Sequence, residues 1–498
     1  MTDGTIAGLL DEAARQRPNA PFLLGEDGAD WTVADVARLS TAGAHWLAEV
    51  GVRPGMTVAW QLPAHPPAAV LMLALARAGV TQAPVLHLLR RREVAAAVEV
   101  GGADLLIVDE TTRAEAPDGI PVLELPADFL AELAHRPNSE SPFPAPTAHD
   151  PHWIYFTSGS TGLPKGVRHT DSTLLVAAAG YVAHLGLGDH PDDVGTLAFP
   201  IAHIGGIIYL TSMLIGGFPA VLVPKVDAAT IADVLARRRV TISGSSPAFY
   251  QILLAAQLAS GRDDPLIPTL RMLIGGGAPC PPELHEKIRK HLRVPVLHAY
   301  GMTEAPLTCV SKATDTDEQQ IHSCGLPIPG ARVRIAHSGE IELCGTNVTP
   351  GYVDAVQWAQ TTTPDGWFRT GDCGYLRPDG RIVITGRIKD LIIRKGENIS
   401  PDEIENELLA HPLIDDVAVV GLPDEERGEL VCAVVKRSPA HRDVTLDEIC
   451  AFLDRRGLMK QKWPERLVVV DEFPLTGLGK VAKKVLAEKI SGGTGCPS

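Results

Sequence analysis

Closely paired cysteines, low-complexity runs, internal repeats and a surplus of positive charge are all missing from this sequence of 498 residues. The eight cysteines show no C-x-x-C spacing and all lie from Cys280 onward, which is typical of reduced cytosolic thiols and argues against a disulfide framework. The formal net charge of −15 argues against a nucleic-acid surface and for a soluble protein. The cytoplasm is therefore the expected location.

A leader peptide and a clear membrane span are missing as well. Residues 1–12 carry acidic side chains and no basic segment, so we expect no signal peptide. Residues 204–223 carry no charge and are long enough to cross a bilayer, but glycines and a proline interrupt them. This pattern favours a helix followed by a buried strand at 220–223, with a membrane helix as the alternative.

Helix-like and strand-like segments alternate along the first 300 residues, which predicts a largely parallel α/β sheet. We expect helices at 5–18, 31–44, 66–78, 93–98, 172–185, 228–238, 247–258 and 282–291, and strands at 57–62, 81–86, 104–108, 153–156, 196–200, 240–244, 270–274 and 294–300.

The pattern changes after residue 325. Short segments with many turn residues at 325–376 predict a small β subdomain or barrel. Beyond Gly386 a separate unit of α+β type is expected, in which Ser400 is a candidate N-cap followed by Pro401. The predicted fold is therefore α/β, with a large N-terminal domain at 1–386, containing mixed α/β sheets and the β subdomain, and a small C-terminal domain at 387–498.

A run of small hydroxylated residues and glycines follows the strand predicted at 153–156. Glycine lets the backbone approach a ligand closely, successive N–H groups can bind an anion, and a lysine adds positive charge. The run predicts a phosphate-binding loop that is distinct from a Walker A loop, with a surface turn as the alternative. Its members are Thr157, Ser158, Gly159, Ser160, Thr161, Gly162 and Lys165.

Other clusters could complete a nucleotide site. The sequence Tyr300-Gly-Met-Thr-Glu304 places a hydroxyl and a carboxylate at a predicted strand end, where ligands bind in open α/β sheets. Glu304 is a hard oxygen ligand suited to Mg²⁺. Asp372, in Thr-Gly-Asp, could accept hydrogen bonds from ribose hydroxyls, and Lys480 ends a glycine-containing loop.

Taken together, these clusters resemble the adenylate-forming superfamily, which includes acyl- and aryl-CoA synthetases, peptide-synthetase adenylation domains and luciferases. The resemblance extends from about residue 5 to residue 487. It implies that a carboxylate attacks ATP to give acyl-AMP and pyrophosphate, and that a thiol then displaces AMP. It also implies ATP, Mg²⁺ and coenzyme A as ligands, and a C-terminal domain that moves about a hinge at Lys389.

The resemblance also implies roles for individual residues. The loop from Thr157 to Lys165 would hold the β- and γ-phosphates, Thr303 would contact the α-phosphate, and Glu304 would hold Mg²⁺. Lys480 would bridge the α-phosphate and the carboxylate, and Gly396 would line the pantetheine tunnel. The adenine and its surroundings would be contacted by Gly275, Gly276, Gly277, Ala278, Pro279, Tyr300, Gly301 and Met302, and the ribose by Asp372 and Arg387.

The acyl pocket is expected around Ile201–Met213, Ser245–Tyr250 and Ala305–Val310, which are mostly small or apolar. His203, beside Ile204 and Gly205, corresponds to a pocket position of the family, with a packed core histidine as the alternative; Cys309 is expected nearby as a small hydrophobe. No acidic residue follows Phe199 closely, which argues against an amino-acid substrate, because its ammonium would be buried without a partner.

The sequence therefore predicts an AMP-forming acyl-CoA synthetase, an acid–thiol ligase of the kind found in fatty acid metabolism. The expected substrate is an aliphatic, alicyclic or aromatic acid. Because no carrier domain follows Lys489, free CoA is the expected acceptor, with a separate carrier protein as the alternative. A homodimer is a further expectation. One departure from the family pattern is Lys395, where many relatives have a second glycine; it is either a CoA contact or a solvated lysine.

Overall fold

Threonine and serine side chains set many of the helix starts in the computed structural model of this chain. Thr32 accepts a hydrogen bond from the Asp35 N–H, and the Asp35 carboxylate accepts one from the Thr32 N–H. Such a reciprocal pair satisfies N–H groups that have no partner within the helix. Ser400 accepts from the Glu403 N–H at the start of another helix, so the predicted N-cap is confirmed.

The structure describes residues 4–136, 140–157, 163–277, 280–395, 397–424, 426–438, 441–475 and 481–491. The helices are α1 Ile6–Gln16, α2 Val33–Glu49, α3 Pro66–Ala78, α4 Arg91–Gly101, α5 Phe129–Ala134, α6 Asp171–Leu185, α7 Ile204–Gly216, α8 Ile231–Arg237, α9 Pro247–Ala259, α10 Pro282–His291, α11 Asp317–Ile321, α12 Ala355–Gln360, α13 Pro401–Leu409, α14 Leu446–Arg455 and α15 Lys483–Ser491.

The strands up to residue 310 are β1 Pro21–Leu24, β2 Asp30–Thr32, β3 Thr57–Gln61, β4 Thr81–Val85, β5 Leu105–Val108, β6 Val122–Glu124, β7 Trp153–Thr157, β8 Lys165–His169, β9 Gly195–Leu197, β10 Ala220–Leu222, β11 Ile242–Ser243, β12 Met272–Gly276, β13 Val296–Met302 and β14 Ala305–Val310. The later strands are β15 Leu326–Pro327, β16 Ala331–Ile335, β17 Glu340–Gly345, β18 Gly351–Tyr352, β19 Phe368–Leu376, β20 Ile382–Arg387, β21 Ile392–Arg394, β22 Glu397–Ile399, β23 Val417–Asp424, β24 Gly428–Lys436 and β25 Arg466–Val470.

The chain divides into two units, Met1–Val333 with Leu343–Phe368, and Arg334–Glu342 with Arg369–Ser498. The first unit contains two mixed sheets, one in the strand order β15-β14-β13-β12-β11-β9-β10-β1-β2 and the other in the order β18-β8-β7-β4-β3-β5-β6. The inner strands of both sheets are parallel. Antiparallel strands lie at both edges of the first sheet and at the β18 edge of the second. The α/β prediction is confirmed.

The largest core cluster of the first unit joins residues from both sheets and from the helices α2, α3, α6 and α7. Trp60 and Trp153 lie fully buried in it. Helix α3 is buried along almost its whole length, which explains its nearly unbroken run of alanine, leucine and other apolar residues. Burial of this apolar surface is the main favourable term in folding, and it holds the strand ends that carry the polar clusters.

The second unit contains a sheet formed by β22, β21, β24, β23 and β25, with α13 and α15 packed on β23. Its own apolar core includes Ile404 and Val419. The strands β16, β17, β19 and β20 form a further sheet in that order, which agrees with the small β subdomain and not with a closed barrel. The domain boundary predicted between residues 386 and 387 stays a prediction.

The apolar stretch at 204–223 forms the thirteen-residue helix α7 followed by β10, as the favoured interpretation predicted. Within the described part of the chain, no helix is long and apolar enough to cross a membrane. One difference concerns Lys165, which the sequence predicts within the phosphate-binding loop but which is the first residue of β8.

Candidate active site

The hairpin formed by β7 and β8 carries the predicted phosphate-binding residues. Thr157, the last residue of β7, pairs with Lys165, the first residue of β8. The predicted members Ser158, Gly159, Ser160, Thr161 and Gly162 connect the two strands and lie outside the described residues. Antiparallel pairing therefore brings a hydroxyl and an ammonium group to the two ends of this connection.

A second hairpin, formed by β13 and β14, presents Thr303 and Glu304. Met302 pairs with Ala305, so the two residues between them form the whole turn. Both are nearly buried, with exposed fractions of 9% and 8%. Tyr300, two residues before Met302, pairs with Cys309 across the same hairpin. The tightness of the turn holds a hydroxyl and a carboxylate side by side at the sheet end.

Tyr352 connects Glu304 with Lys165. Its hydroxyl donates a hydrogen bond of 2.8 Å to Glu304 Oε1, and the Lys165 Nζ lies 5.0 Å from its ring centroid, within cation–π range. Burial, and then the neighbouring carboxylate, raise the pKa of Tyr352, so its phenol stays protonated and donates. In addition, the Thr349 N–H donates to the Glu304 carbonyl at 2.7 Å. Both the backbone and the side chain of Glu304 are therefore held in place.

His169 holds the other residue of the turn. Its Nε2 lies 2.7 Å from the Thr303 carbonyl oxygen; because a carbonyl only accepts, Nε2 donates and the imidazole tautomer is set. Its Nδ1 lies 2.9 Å from Thr173 Oγ1. The ring is fully buried, and burial lowers its pKa from 6.5 to about 4. His169 is therefore a neutral support for the Thr303 backbone at physiological pH.

Acidification is expected to destabilise the protein partly through His169. Between about pH 6.5 and pH 4 the unfolded state binds a proton that the folded state does not, so this stabilisation is present above pH 6.5 and is lost as the pH falls towards 4. One such group changes the free energy of unfolding by about 1.4 kcal/mol per pH unit in that interval. We expect His169→Gln to flatten the pH dependence of urea unfolding, whereas the exposed-site control His149→Gln keeps the wild-type slope. If the free energy of unfolding depends on pH equally in both variants, His169 does not contribute to the acid sensitivity.

The glycines predicted near adenine end strand β12. Gly275 and Gly276 pair with His298 and Ala299 of β13, and a Cβ added at Gly276 would lie 2.0 Å from the Ala299 carbonyl oxygen. The strands can therefore approach this closely only with glycine at that position. Gly277 follows with a φ of 78° and open space around it. Ala278 and Pro279 lie outside the described residues.

The predicted acyl-pocket residues lie on α7 and β14. His203 is the N-cap of α7, and its Nδ1 accepts a hydrogen bond of 3.1 Å from the Gly205 N–H. Ile204 begins the helix and is nearly buried. Cys309 is fully buried, and burial raises its pKa, so it is a protonated, apolar thiol. Whether His203 contacts substrate stays a prediction.

In the second unit, Asp372 and Arg387 are directly opposite each other on β19 and β20. Arg387 Nε donates to Asp372 Oδ1 at 2.5 Å. The Asp372 N–H donates to Thr370 Oγ1 at 3.0 Å, and the Thr370 hydroxyl donates to the Ile341 carbonyl at 2.7 Å. The Asp372 carboxylate is nearly buried and the Arg387 guanidinium is half exposed. The backbone of Asp372 is held in place by its hydrogen bond to Thr370.

The other predicted residues of this unit fall into two groups. Lys389 is exposed in a 3-10 turn at Ile388–Asp390, and Lys395 has a φ of 50°. That left-handed conformation favours glycine, which fits the glycine expected from the family pattern. Gly396 and Lys480 lie outside the described residues; Leu475 forms a bridge with Val481, the residue after Lys480.

Sequence reasoning missed His169 and Tyr352. His169 had a detectable signal, because alternation along β8 places it on the same face as Lys165. Tyr352 had none: it follows a Pro-Gly turn and lies 48 residues from its partner Glu304. Distant pairing of this kind depends on sheet order, which local patterns do not specify.

The site fits Mg²⁺ held mainly by a nucleotide. Among the residues that the structure describes, no group of three or more His, Cys, Asp or Glu side chains could hold a metal ion. Glu304 supplies a nearly buried carboxylate at the turn between β13 and β14. This matches Mg²⁺, which keeps several waters and usually binds one or two carboxylates together with substrate phosphates.

Comparisons with known proteins agree with this arrangement. Residues 10–353 match the family model of AMP-binding enzymes, and residues 403–480 match the model of the AMP-binding enzyme C-terminal domain. The medium-chain fatty-acid–CoA ligase of Escherichia coli (strain K12) is 28% identical over 98% of this chain and 91% of its own. The feruloyl-CoA synthase of an Amycolatopsis species is 32% identical over 94% of this chain and 96% of its own.

A solved structure is similar over almost the whole chain. It is the O-succinylbenzoate coenzyme A synthetase from Bacillus subtilis in complex with ATP and magnesium ion, with a TM-score of 0.83 and 26% identity. The match covers 97% of this chain and 99% of the other. The folds are therefore the same.

Proposed function

Because the chain belongs to the AMP-binding enzyme family, we propose that its Thr303–Glu304 turn serves the adenylation step of an AMP-forming acyl-CoA synthetase. In the first step a carboxylate oxygen attacks the α-phosphorus of ATP, the bond to the bridging oxygen breaks, and pyrophosphate leaves. In the second step the thiol of CoA attacks the acyl carbon, and AMP leaves with the bonding electrons. The products are acyl-CoA, AMP and pyrophosphate.

The observation that carries the assignment is the support of this turn from both sides. His169 holds the Thr303 carbonyl and Tyr352 holds the Glu304 carboxylate, while Lys165 lies over the Tyr352 ring. Donors and charges that are fixed before reaction stabilise developing charge without reorganisation. Phosphoryl and nucleotidyl transfer depend mainly on such positioning.

Each residue has one task in the proposal. Glu304 holds Mg²⁺, which neutralises charge on the triphosphate when bound. Thr303 donates to the α-phosphate, and Lys165 attracts the departing pyrophosphate. Asp372 accepts hydrogen bonds from the ribose hydroxyls beside Arg387. Lys480 bridges the α-phosphate and the carboxylate, and Gly396 admits the pantetheine arm of CoA.

The proposed substrate is a carboxylic acid with an aliphatic or aromatic body. The relatives are named for a medium-chain fatty acid and for feruloyl and succinylbenzoyl groups, which span both types. The lining predicted from sequence includes the buried Ile204 and Cys309, and an apolar lining favours such acids. A cytoplasmic location and a homodimer complete the proposal; none of the seven cysteines within the described ranges forms a disulfide, which suits a reducing compartment.

A pyrophosphate-release screen tests this function. Purified protein is given ATP, Mg²⁺ and single carboxylic acids of graded chain length and ring content, with and without CoA. We expect release with a subset of the acids, and multiple turnovers only when CoA is present, because the bound acyl-AMP otherwise blocks the enzyme. No acid-dependent release with any member of the panel would contradict the proposal.

A further inference from the structure

A buried phenol without a hydrogen-bond partner lies next to the strand end that carries Gly275. Tyr250, on α9, is 1% exposed. Its hydroxyl has no hydrogen-bond partner among the residues that the structure describes. A buried hydroxyl in this condition costs free energy that a hydrogen bond would recover, so a ligand atom that formed this bond would be bound more tightly.

The hydroxyl is located by its contact with Gly275. A Cβ added at Gly275 would lie 2.3 Å from the Tyr250 hydroxyl oxygen and 2.0 Å from the Ser245 carbonyl oxygen. The phenol therefore reaches the carboxyl end of β12, and only glycine leaves room for it. In open α/β sheets, ligands bind at the carboxyl ends of the strands. Tyr250 also ends the segment 245–250, which the sequence predicts to line the acyl pocket.

The Tyr250 hydroxyl stays protonated, and among the described residues no cation contributes to its electrostatic environment. Burial, and then the Cys280 thiol and the Tyr181 phenol, raise the pKa of Tyr250. No basic side chain contributes to that shift. A second carboxylate placed here would be buried without a positive partner, which is unfavourable. A neutral oxygen that can accept or exchange a hydrogen bond is the group that fits.

We propose that Tyr250 is a specificity-determining residue of the acyl pocket, and that the preferred acid carries a hydroxyl or keto oxygen on its otherwise apolar body. The inference rests on the proposed function and refines its substrate class. When the acid is bound, the Tyr250 hydroxyl forms a hydrogen bond with that oxygen. An acid of the same shape without the oxygen leaves the phenol unpaired. A site that hydrogen-bonds its substrate discriminates against such an analogue more strongly than an apolar pocket discriminates against an added or missing methylene.

The test compares acids in matched pairs. One pair is 3-(4-hydroxyphenyl)propanoate and 3-(4-methylphenyl)propanoate, and further pairs are linear keto or hydroxy acids and the corresponding methyl-substituted acids, with the substituent moved along the chain. The measured quantity is the ratio of kcat/KM for pyrophosphate release within each pair. We expect the wild-type enzyme to prefer the oxygenated member of at least one pair by about 10- to 100-fold.

The variant Tyr250→Phe removes only the hydroxyl. We expect it to reduce that preference to below about threefold, mainly through a lower kcat/KM for the oxygenated member. The matched control Tyr155→Phe removes another buried hydroxyl without a partner in the described structure and is expected to leave the preference unchanged. Thermal unfolding confirms that both variants fold.

Three outcomes separate the hypotheses. A wild-type enzyme that treats all pairs equally, or prefers the methyl-substituted members, overturns the role of Tyr250 and leaves the synthetase function intact. An unchanged preference in Tyr250→Phe overturns it as well. Absence of pyrophosphate release with every acid contradicts the proposed function itself, because the synthetase reaction does not depend on the Tyr250 hydroxyl.

Discussion

Replacing Glu304 with glutamine is expected to lower the rate of acyl-AMP formation by about 10²- to 10³-fold, the loss typical of removing one fixed electrostatic contact to a reacting group. The glutamine keeps the size of the side chain and can still accept the hydrogen bond from Tyr352, so the turn is preserved. It replaces a charged ligand with a neutral one, and Mg²⁺ prefers charged oxygens. The measurement is the single-turnover rate of acyl-AMP formation as a function of Mg²⁺ concentration.

Two controls define the Glu304 result. Glu286→Gln makes the same change at an exposed position of α10 and should leave the rate unchanged. Tyr352→Phe keeps the carboxylate and removes only the 2.8 Å hydrogen bond, so its effect should be smaller than that of Glu304→Gln. If the Mg²⁺ concentration required for half-maximal rate is the same in Glu304→Gln and wild type, the metal-binding role is wrong.

Replacing Lys480 with alanine is expected to abolish acyl-AMP formation and largely spare thioester formation from supplied acyl-AMP. The ammonium group is proposed to bridge the carboxylate and the α-phosphate only in the first step, so its loss removes stabilisation from that transition state alone. The two steps are measured separately, as pyrophosphate release from ATP plus acid and as acyl-CoA formation from acyl-AMP plus CoA. Lys484→Ala, at an exposed position of α15, is the matched control.

The variant Gly396→Leu is expected to do the reverse of Lys480→Ala, with loss of thioester formation and little effect on acyl-AMP formation. A bulky side chain at the proposed pantetheine tunnel should block acyl-CoA formation while single-turnover pyrophosphate release continues. Equal loss of both steps in Lys480→Ala would show that the lysine supports the fold or both reactions. Slower adenylation alone in Gly396→Leu would exclude the tunnel role.

Most of the longer helices, and many strands of the first unit, could be predicted because their signals are local, whereas the short helices α5, α11 and α12 were not predicted. Thr32 and Ser400 are capping residues that accept hydrogen bonds from N–H groups three positions on, and the alternation of buried and exposed residues is visible in the sequence. The charge-free stretch at 204–223 was also correctly divided into a helix and a strand. In each case the deciding interactions lie within a few residues.

The contacts that hold the Thr303–Glu304 turn could not be predicted, because they join segments that are distant in the sequence. His169 and Thr303 are 134 residues apart, and Tyr352 reaches Glu304 across 48 residues. The order of the strands places β9 between β10 and β11, which no local pattern specifies. The Tyr250 hydroxyl is a further example: a tyrosine on an apolar helix resembles a core residue until its contact with Gly275 is known.

The adenylate-forming resemblance supplied what local patterns could not, namely which clusters belong to one reaction. The family matches confirm it. The individual roles of Asp372, Arg387, Lys389, Gly396 and Lys480 remain predictions that the variants above address in part. The described geometry bears most directly on Thr303 and Glu304, which are held by His169, Tyr352 and the Thr349 N–H.

The most direct test of the acyl-adenylate reaction follows one oxygen atom. A substrate acid from the screen is labelled with oxygen-18 in both carboxylate positions and incubated with the enzyme, ATP, Mg²⁺ and CoA. Because a carboxylate oxygen attacks the α-phosphorus and stays on phosphorus when CoA displaces AMP, mass spectrometry should find one oxygen-18 atom in each AMP formed. Unlabelled AMP, or label in orthophosphate with ADP as the nucleotide product, would contradict the mechanism.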